Sequence, residues 1–416
     1  MPDLAALFSA ADPPPTPAYV YDLDELDRSH AALRAALPAG GELFYSLKAN
    51  PHPAVVGALV GAGCRAEVCS PGELRAALEA GADPAGMLYT GPGKRDVDVA
   101  EAIEAGVGFF SVDSPYGLDQ LDRIARRYAT PVRALVRVND DSPAPGQGLT
   151  MTGVASQFGA DVRWVRKEPE LFAARAYVRP VGFHLYMGSN IAAEDALYAQ
   201  FAQSVATAVE LAGATGVEPE VLDLGGGFGV PFARAGGRPD LTGLADRLTA
   251  LLTDAFPGWP DRGPAVAFES GRYLVGTCGT LVTRVLDVKR SQDATVVILE
   301  SGINHLGGMS GLRRLPPIVP DLVAVDGATG EPVPATMVTG PLCTPLDTWA
   351  RAATLPPPRP GQLVAVPNVG AYGLYASLVA FLGHPAPVEV TIAGGRVTGM
   401  TRLALTRNVV TGTNRG

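Results

Sequence analysis

From Ala18 onward, short β-branched or aromatic runs alternate with Ala/Leu-rich segments of helical period. Strands are predicted at 43–49, 65–70, 87–90, 108–112, 133–139, 181–187, 221–224 and 265–269. Helical patterns fall between them at 53–62, 71–80, 95–105, 117–128, 192–214 and 241–255. Eight strands separated by helices over this length predict a closed (β/α)8 barrel in preference to an open doubly wound sheet. After Gly271 the pattern changes to short alternating strands, such as 280–288 and 294–299, with turn-rich breaks. The expected organisation is α/β plus all-β: a TIM-like barrel over residues 19–275 and a β domain over 276–416, which residues 1–18 join. The Pro-rich pieces at 13–17 and 356–360 read as surface turns.

With 416 residues the chain is long enough for two cores, and 47% apolar against 18% charged residues excludes wholesale disorder. A net charge of -9 and the absence of any Lys/Arg run exclude a nucleic-acid surface. No run of 18 apolar residues and no basic-then-apolar N-terminus occurs, so neither a membrane span nor export is expected. Cys64, Cys69, Cys278 and Cys343 show no C-x-x-C pairing and no disulfide framework, which points to a reducing cytoplasm.

The strand Phe44-Tyr45-Ser46-Leu47-Lys48-Ala49-Asn50 ends on a lysine. βα-barrel enzymes keep their chemistry at that end of a strand, and a partly desolvated amine there can become nucleophilic and form a Schiff base. Alone, such a lysine reads as one that snorkels to solvent. Val221-Leu222-Asp223 runs into Leu224-Gly225-Gly226-Gly227-Phe228-Gly229, where backbone free of side chains can bring several N–H groups to one anion. It is not a dinucleotide fingerprint, because the third glycine would fall at Val230. Glu269 and Arg272 close the last strand, an acid for a pyridinium nitrogen and a cation for a phosphate. His184 lies inside a strand with Gly188-Ser189 after it, a flat ring able to stack on a planar cofactor beside a hydroxyl able to donate to phosphate. Cys343 stands in the turn Gly340-Pro341-Leu342-Cys343-Thr344-Pro345-Leu346-Asp347, and Tyr372 in the turn Gly370-Ala371-Tyr372. A turn thiol beside acidic and hydroxyl groups is a candidate for proton transfer.

Together these motifs resemble, in order and over residues 19–390, the fold-type III pyridoxal-phosphate decarboxylases of ornithine, arginine and diaminopimelate. The resemblance implies an alanine-racemase-like barrel and a C-terminal β-sandwich or barrel domain. It implies that Lys48 bonds to pyridoxal 5'-phosphate, that His184 stacks on the ring, and that Glu269 pairs with the ring nitrogen. Ser189, Gly226, Gly227, Arg272 and Tyr372 would surround the phosphate. Arg137 and Glu67 match positions near the cofactor, with Glu67 where the family usually has Asp. Cys343 would reprotonate the substrate carbon after carbon dioxide leaves, from the neighbouring subunit, which implies a homodimer with shared active sites.

The chain departs from the family at the substrate's distal end, to which the resemblance assigns Thr344, Asp347 and Gly308. Ornithine and diaminopimelate decarboxylases have an acid directly after the Cys, where Thr344 stands here. Diaminopimelate enzymes also carry G-M-N-D-L-I-R-P; the matching stretch, from Gly302 to Met309, puts Gly308 in place of the Arg. Losing both partners would cost on the order of several kcal/mol for a doubly zwitterionic substrate. The motifs around Cys343 and Tyr372 are similar to a subgroup from specialised metabolism. It includes decarboxylases of γ-glutamyl thioesters on an acyl carrier protein, as in butirosin-type pathways. The expected substrate is therefore an amino acid with a masked side-chain carboxylate, free or carrier-bound. Diaminopimelate decarboxylase, an amino-acid racemase and a non-catalytic pyridoxal-phosphate carrier are the alternatives.

Overall fold

A computed structural model describes residues 3–141, 149–150, 153–307, 319–327 and 330–408. The chain divides into two compact units, Leu23–Cys278, and Met1–Asp22 with Gly279–Gly416.

In the first unit the strands Gly41–Ser46, Arg65–Val68, Leu88–Tyr89, Phe109–Val112, Val132–Asn139, Val178–Leu185, Val221–Asp223 and Ala265–Ser270 pair in parallel, each with the next. Ala265–Ser270 then pairs with Gly41–Ser46, and the barrel closes. Two of the intervening helices begin at Ser-Pro. The Ser70 and Ser114 hydroxyls accept from the Glu73 and Gly117 N–H groups at 3.2 and 3.1 Å, and Pro71 and Pro115 occupy the first turn, where no N–H is needed. A helix at Leu23–Ala35 precedes the first barrel strand; its apolar spacing, with Leu26 and Leu33 buried, is a signal the strand pattern overshadowed. Among the described residues no helix is long and apolar enough to cross a membrane.

Among the described residues the second unit forms a nine-stranded sheet. Ala18–Asp22, which the sequence pattern gave to the barrel from Tyr19 onward, belongs to this sheet instead. It is buried throughout and paired on both edges, antiparallel to Gly279–Ser291 and parallel to Val388–Ala393. The long strand Gly279–Ser291 takes Ala18–Asp22 and Leu363–Val366 on its first half. Past a register break between Val285 and Asp287 it pairs with Ala294–Leu299. Ala18, Val20, Val282, Ala365, Val388, Val390 and Ile392 form the core beneath it.

Two neighbouring barrel strands approach closely at a glycine. Gly182, at φ +151°, sits where an added Cβ would lie 1.8 Å from the Val221 carbonyl oxygen of the neighbouring strand. Gly182→Ala forces those strands apart and should lower the unfolding free energy by about 3 kcal/mol in urea titrations. Gly57→Ala, in a helix with nothing within 4 Å of the new methyl, should leave stability unchanged or raised. Equal effects of the two would contradict this account of the strand approach.

Candidate active site

The barrel interior is filled by Phe44, Leu88, Phe109, Leu135, Val181 and Ala267, with Val221 packed against them. Side chains in a strand alternate faces, so the next inward residue lies two positions on, toward the C-terminal ends. Those positions are Ser46, Thr90, Ser111, Arg137, Asp223 and Glu269, a wholly polar layer on an apolar floor. In the strand bearing Val181, the register shifts at Gly182 and His184 enters the layer three positions on, paired with Arg137 and Asp223 of its neighbours. Sequence reasoning found Arg137, His184 and Glu269 and missed Thr90, Ser111 and Asp223. The two-residue step from the apolar layer was the available signal.

Lys48 does not end a strand. The strand stops at Ser46, opposite Glu67, and Leu47–Ala49 forms a single 3-10 turn held by the Tyr45 hydroxyl, which donates to the Asn50 carbonyl at 2.6 Å. That turn aims the amine back at Glu67, whose carboxylate oxygens accept from Nζ at 2.9 and 3.1 Å. The pair is asymmetric, with the Lys48 side chain 38% exposed and that of Glu67 1%. Burial works against the Glu67 carboxylate, yet Lys48, Thr90 and Ser46 together hold its pKa below the usual range. A second amine, Lys94, follows the Leu88–Tyr89 strand, 3.8 Å from Asp113 Oδ2, and burial pushes its pKa down to about 8.

Across the layer, one polar atom each of His184, Asp223 and Glu269 lie within 4.8 Å of one another. His184 Nε2 and Glu269 Oε1 are 3.3 Å apart, and neither makes a well-formed hydrogen bond to any described residue. The other imidazole nitrogen, Nδ1, is tied to the Ser111 hydroxyl at 2.8 Å, and Asp223 Oδ1 accepts from the Gly225 N–H at 2.8 Å. Burial, then repulsion from Glu67 and Asp223, drives the Glu269 pKa well above the carboxylate range. Burial likewise lifts Asp223 to about 7, and burial followed by Arg137 and Lys48 keeps His184 neutral.

The glycine run is required by packing. A Cβ on Gly226 would lie 2.1 Å from the Glu269 carbonyl oxygen, and Gly227 has φ +111°. Among the described residues no acceptor meets the N–H groups of Gly226 and Gly227, while Gln200 Nε2 fixes the Gly226 carbonyl at 2.7 Å. Ser189 lies in the short strand Gly188–Ser189, and Arg272 opens the helix Arg272–Val275 directly after the last barrel strand.

Cys343, Thr344, Asp347 and Tyr372 belong to the sheet unit. Cys343 is exposed, in the turn between Val333–Thr339 and Thr348–Leu355. Tyr372 is held at φ +56°. Asp347, expected at the substrate's distal end, is 2% exposed, and its carboxylate accepts from two backbone N–H groups, Ile303 at 2.8 Å and Leu342 at 2.9 Å. Its oxygens are committed to the chain itself. Gly308 lies outside the described residues.

The barrel site fits a flat cationic ring joined to a phosphate. Three buried carboxyls share one floor with Lys48, and at Glu269 and His184 buried polar atoms stand ready for a partner. A ring nitrogen that takes a proton there would offset the burial and the repulsion that now raise the Glu269 pKa. A group with folded pKa near 7 and unfolded value 3.8 loses its stabilising contribution as pH rises between those limits. In the cofactor-free protein, Asp223→Asn should therefore gain stability over the unmutated chain progressively from about pH 4 to 7, levelling off above. Urea unfolding across that range checks this; a difference that does not vary with pH would contradict it.

Comparison with known proteins agrees with this geometry. L-glutamyl-[BtrI acyl-carrier protein] decarboxylase of Niallia circulans is 30% identical over 91% of this chain and 89% of its own length. Diaminopimelate decarboxylase of Aquifex aeolicus is 30% identical over 92% of this chain and 88% of its own. The crystal structure of diaminopimelate decarboxylase from Helicobacter pylori complexed with L-lysine superposes with a TM-score of 0.80 at 25% identity, covering 92% of this chain and 93% of that one. The model of the pyridoxal-dependent decarboxylase family, pyridoxal binding domain, matches residues 23–276. That match takes in the whole barrel, and the chain belongs to the pyridoxal-dependent decarboxylases, enzymes whose cofactor is pyridoxal phosphate.

Proposed function

We propose that the enzyme removes the α-carboxylate of an amino acid whose side-chain carboxylate is masked, with a γ-glutamyl group in thioester linkage to an acyl carrier protein as the leading substrate. Thr344 carries this reading. It is a neutral residue where ornithine and diaminopimelate decarboxylases place an acid, and its hydroxyl is occupied in accepting from the Leu346 N–H at 3.3 Å. A distal ammonium would find no counter-charge at that position. Similarity to the Niallia decarboxylase of a carrier-bound glutamyl group supports the same choice. The second reading is diaminopimelate decarboxylation, favoured by the likeness to the Aquifex and Helicobacter enzymes.

When bound, pyridoxal phosphate supplies a protonated ring that accepts the electron pair left as the Cα–carboxylate bond breaks. Lys48 would be its attachment point, and Glu67 would hold that amine whenever it is not bonded to the cofactor. Glu269, backed by Asp223, keeps a proton at the ring nitrogen, and His184, oriented by Ser111, offers its face to the ring. Arg137 balances the acids of the layer. The free N–H groups of Gly226 and Gly227, with Ser189, Arg272 and Tyr372, take the phosphate. Cys343 donates the proton that replaces the carboxylate, acting in a homodimer in which each site draws Lys48 from one subunit and Cys343 from the other. A reducing cytoplasm, which keeps that thiol free, is the matching location.

Two measurements test the proposal. Carbon dioxide release should be faster by orders of magnitude in kcat/KM from carrier-bound or otherwise masked glutamyl substrates than from free meso-diaminopimelate, because the latter leaves its distal charges unpaired. An equal or higher kcat/KM for diaminopimelate would make the second reading the right one. Mixing inactive Lys48→Ala and Cys343→Ala proteins should restore partial activity once subunits have exchanged, since one site in each hybrid dimer is intact. No recovery after verified exchange would exclude shared sites.

A further inference from the structure

The sheet unit carries four of the expected site elements on three stretches of chain: the Cys343–Thr344 turn, the Tyr372 turn and the loop leading to Gly308. The Cys343–Thr344 turn and that loop are joined by a carboxylate. Asp347 Oδ1 accepts from the Ile303 N–H at 2.8 Å and Oδ2 from the Leu342 N–H at 2.9 Å, so one buried side chain joins the Cys343 turn to loop 302–307. The backbone of the turn closes over it. The Gly340 N–H donates to the Asp347 carbonyl at 3.1 Å, and the Asp347 N–H to the Thr344 carbonyl at 3.2 Å. The glycines that begin both segments are required by the same contact. A Cβ on Gly302 would lie 2.3 Å from Asp347 Oδ1, and one on Gly340 would lie 2.2 Å from Oδ2 and 2.4 Å from Gly302 Cα. Loop 302–307 is in turn tied to the Tyr372 segment. The Gly307 N–H donates to the Ser377 hydroxyl at 2.8 Å, and that hydroxyl donates to the Gly373 carbonyl at 2.7 Å.

We propose that Asp347 is a positioning residue that locks the Cys343–Thr344 turn to loop 302–307, and through Ser377 to the Tyr372 turn, as one frame. The frame sets where the Cys343 thiol and the residues about the substrate's distal end stand, and Asp347 itself touches no substrate. Its consequence for catalysis rests on Cys343 being the proton donor; its consequence for the Cys343 turn does not.

The test compares the holoenzyme with Asp347→Asn, Gly340→Ala and Cys343→Ala, on the substrate that is turned over. Asparagine keeps shape and volume but sets an NH2 against one of the two N–H donors. Asp347→Asn and Gly340→Ala should each lower kcat about tenfold or more with KM within about twofold, at unchanged cofactor content and at a temperature where melting curves show each variant folded, since both substitutions also lower stability. Both should also change the rate of Cys343 alkylation by iodoacetamide several-fold, read by peptide mass. Unchanged alkylation in folded Asp347→Asn overturns the lock, whatever the kinetics. Changed alkylation with wild-type kcat, while Cys343→Ala is inactive, overturns its importance for catalysis. Full activity of Cys343→Ala instead overturns the proton-donor role and leaves the alkylation result to decide the lock.

Discussion

Three buried carboxyls, Glu67, Asp223 and Glu269, stand at the C-terminal end of one barrel with Lys48 and Arg137 beside them, and that crowding of buried carboxyls is the constraint on which the site depends. A protein interior does not hold such groups ionised without cations. The chain meets this in two ways. Glu67 stays charged because Lys48, Thr90 and Ser46 all face it, while burial raises the pKa values of Glu269 and Asp223, with the Glu67 charge adding to both. The layer is therefore poised for a ligand that brings positive charge at two points, near Lys48 and near Glu269. A cationic pyridine ring attached to Lys48 would do that.

The architecture that makes this possible is simple in sequence terms. Six of the eight barrel strands supply an apolar residue to the barrel floor and, two positions later, a polar one to the layer above it, so most of the site is a continuation of the fold's own periodicity. The barrel was legible in the alternation of strands and helices, and the principal residues were legible because His184 and Glu269 lie near the C-terminal ends of their strands, while Lys48 and the Gly225–Gly227 run follow just past theirs. Thr90 and Ser111 were not, since a hydroxyl at the end of a short strand has no distinguishing pattern until the floor residues beneath it are known. Asp223 was hidden by the glycines that follow it.

What sequence could not supply was anything dependent on contacts far apart in the chain. Ala18–Asp22 looks like the opening of the barrel until its partners, both beyond residue 278, are seen. Asp347 looks like a substrate ligand because it follows Cys343 closely, yet its acceptors are satisfied by Ile303 and Leu342. Turns that carry reactive groups must be braced from somewhere, and here the brace is a buried acid that local reading assigns to chemistry.

The central claim is that the acid-ringed amine of Lys48 bonds the cofactor. Borohydride reduction of the holoenzyme, followed by proteolysis and peptide mass mapping, tests it directly, because reduction fixes the cofactor wherever it is attached. The chain has only three other lysines, Lys94, Lys167 and Lys289, and Lys94 is a genuine competitor with its pKa pushed down to about 8 by burial. The account predicts a single phosphopyridoxyl group on the peptide containing Lys48. The same group on Lys94, or on either remaining lysine, would contradict it.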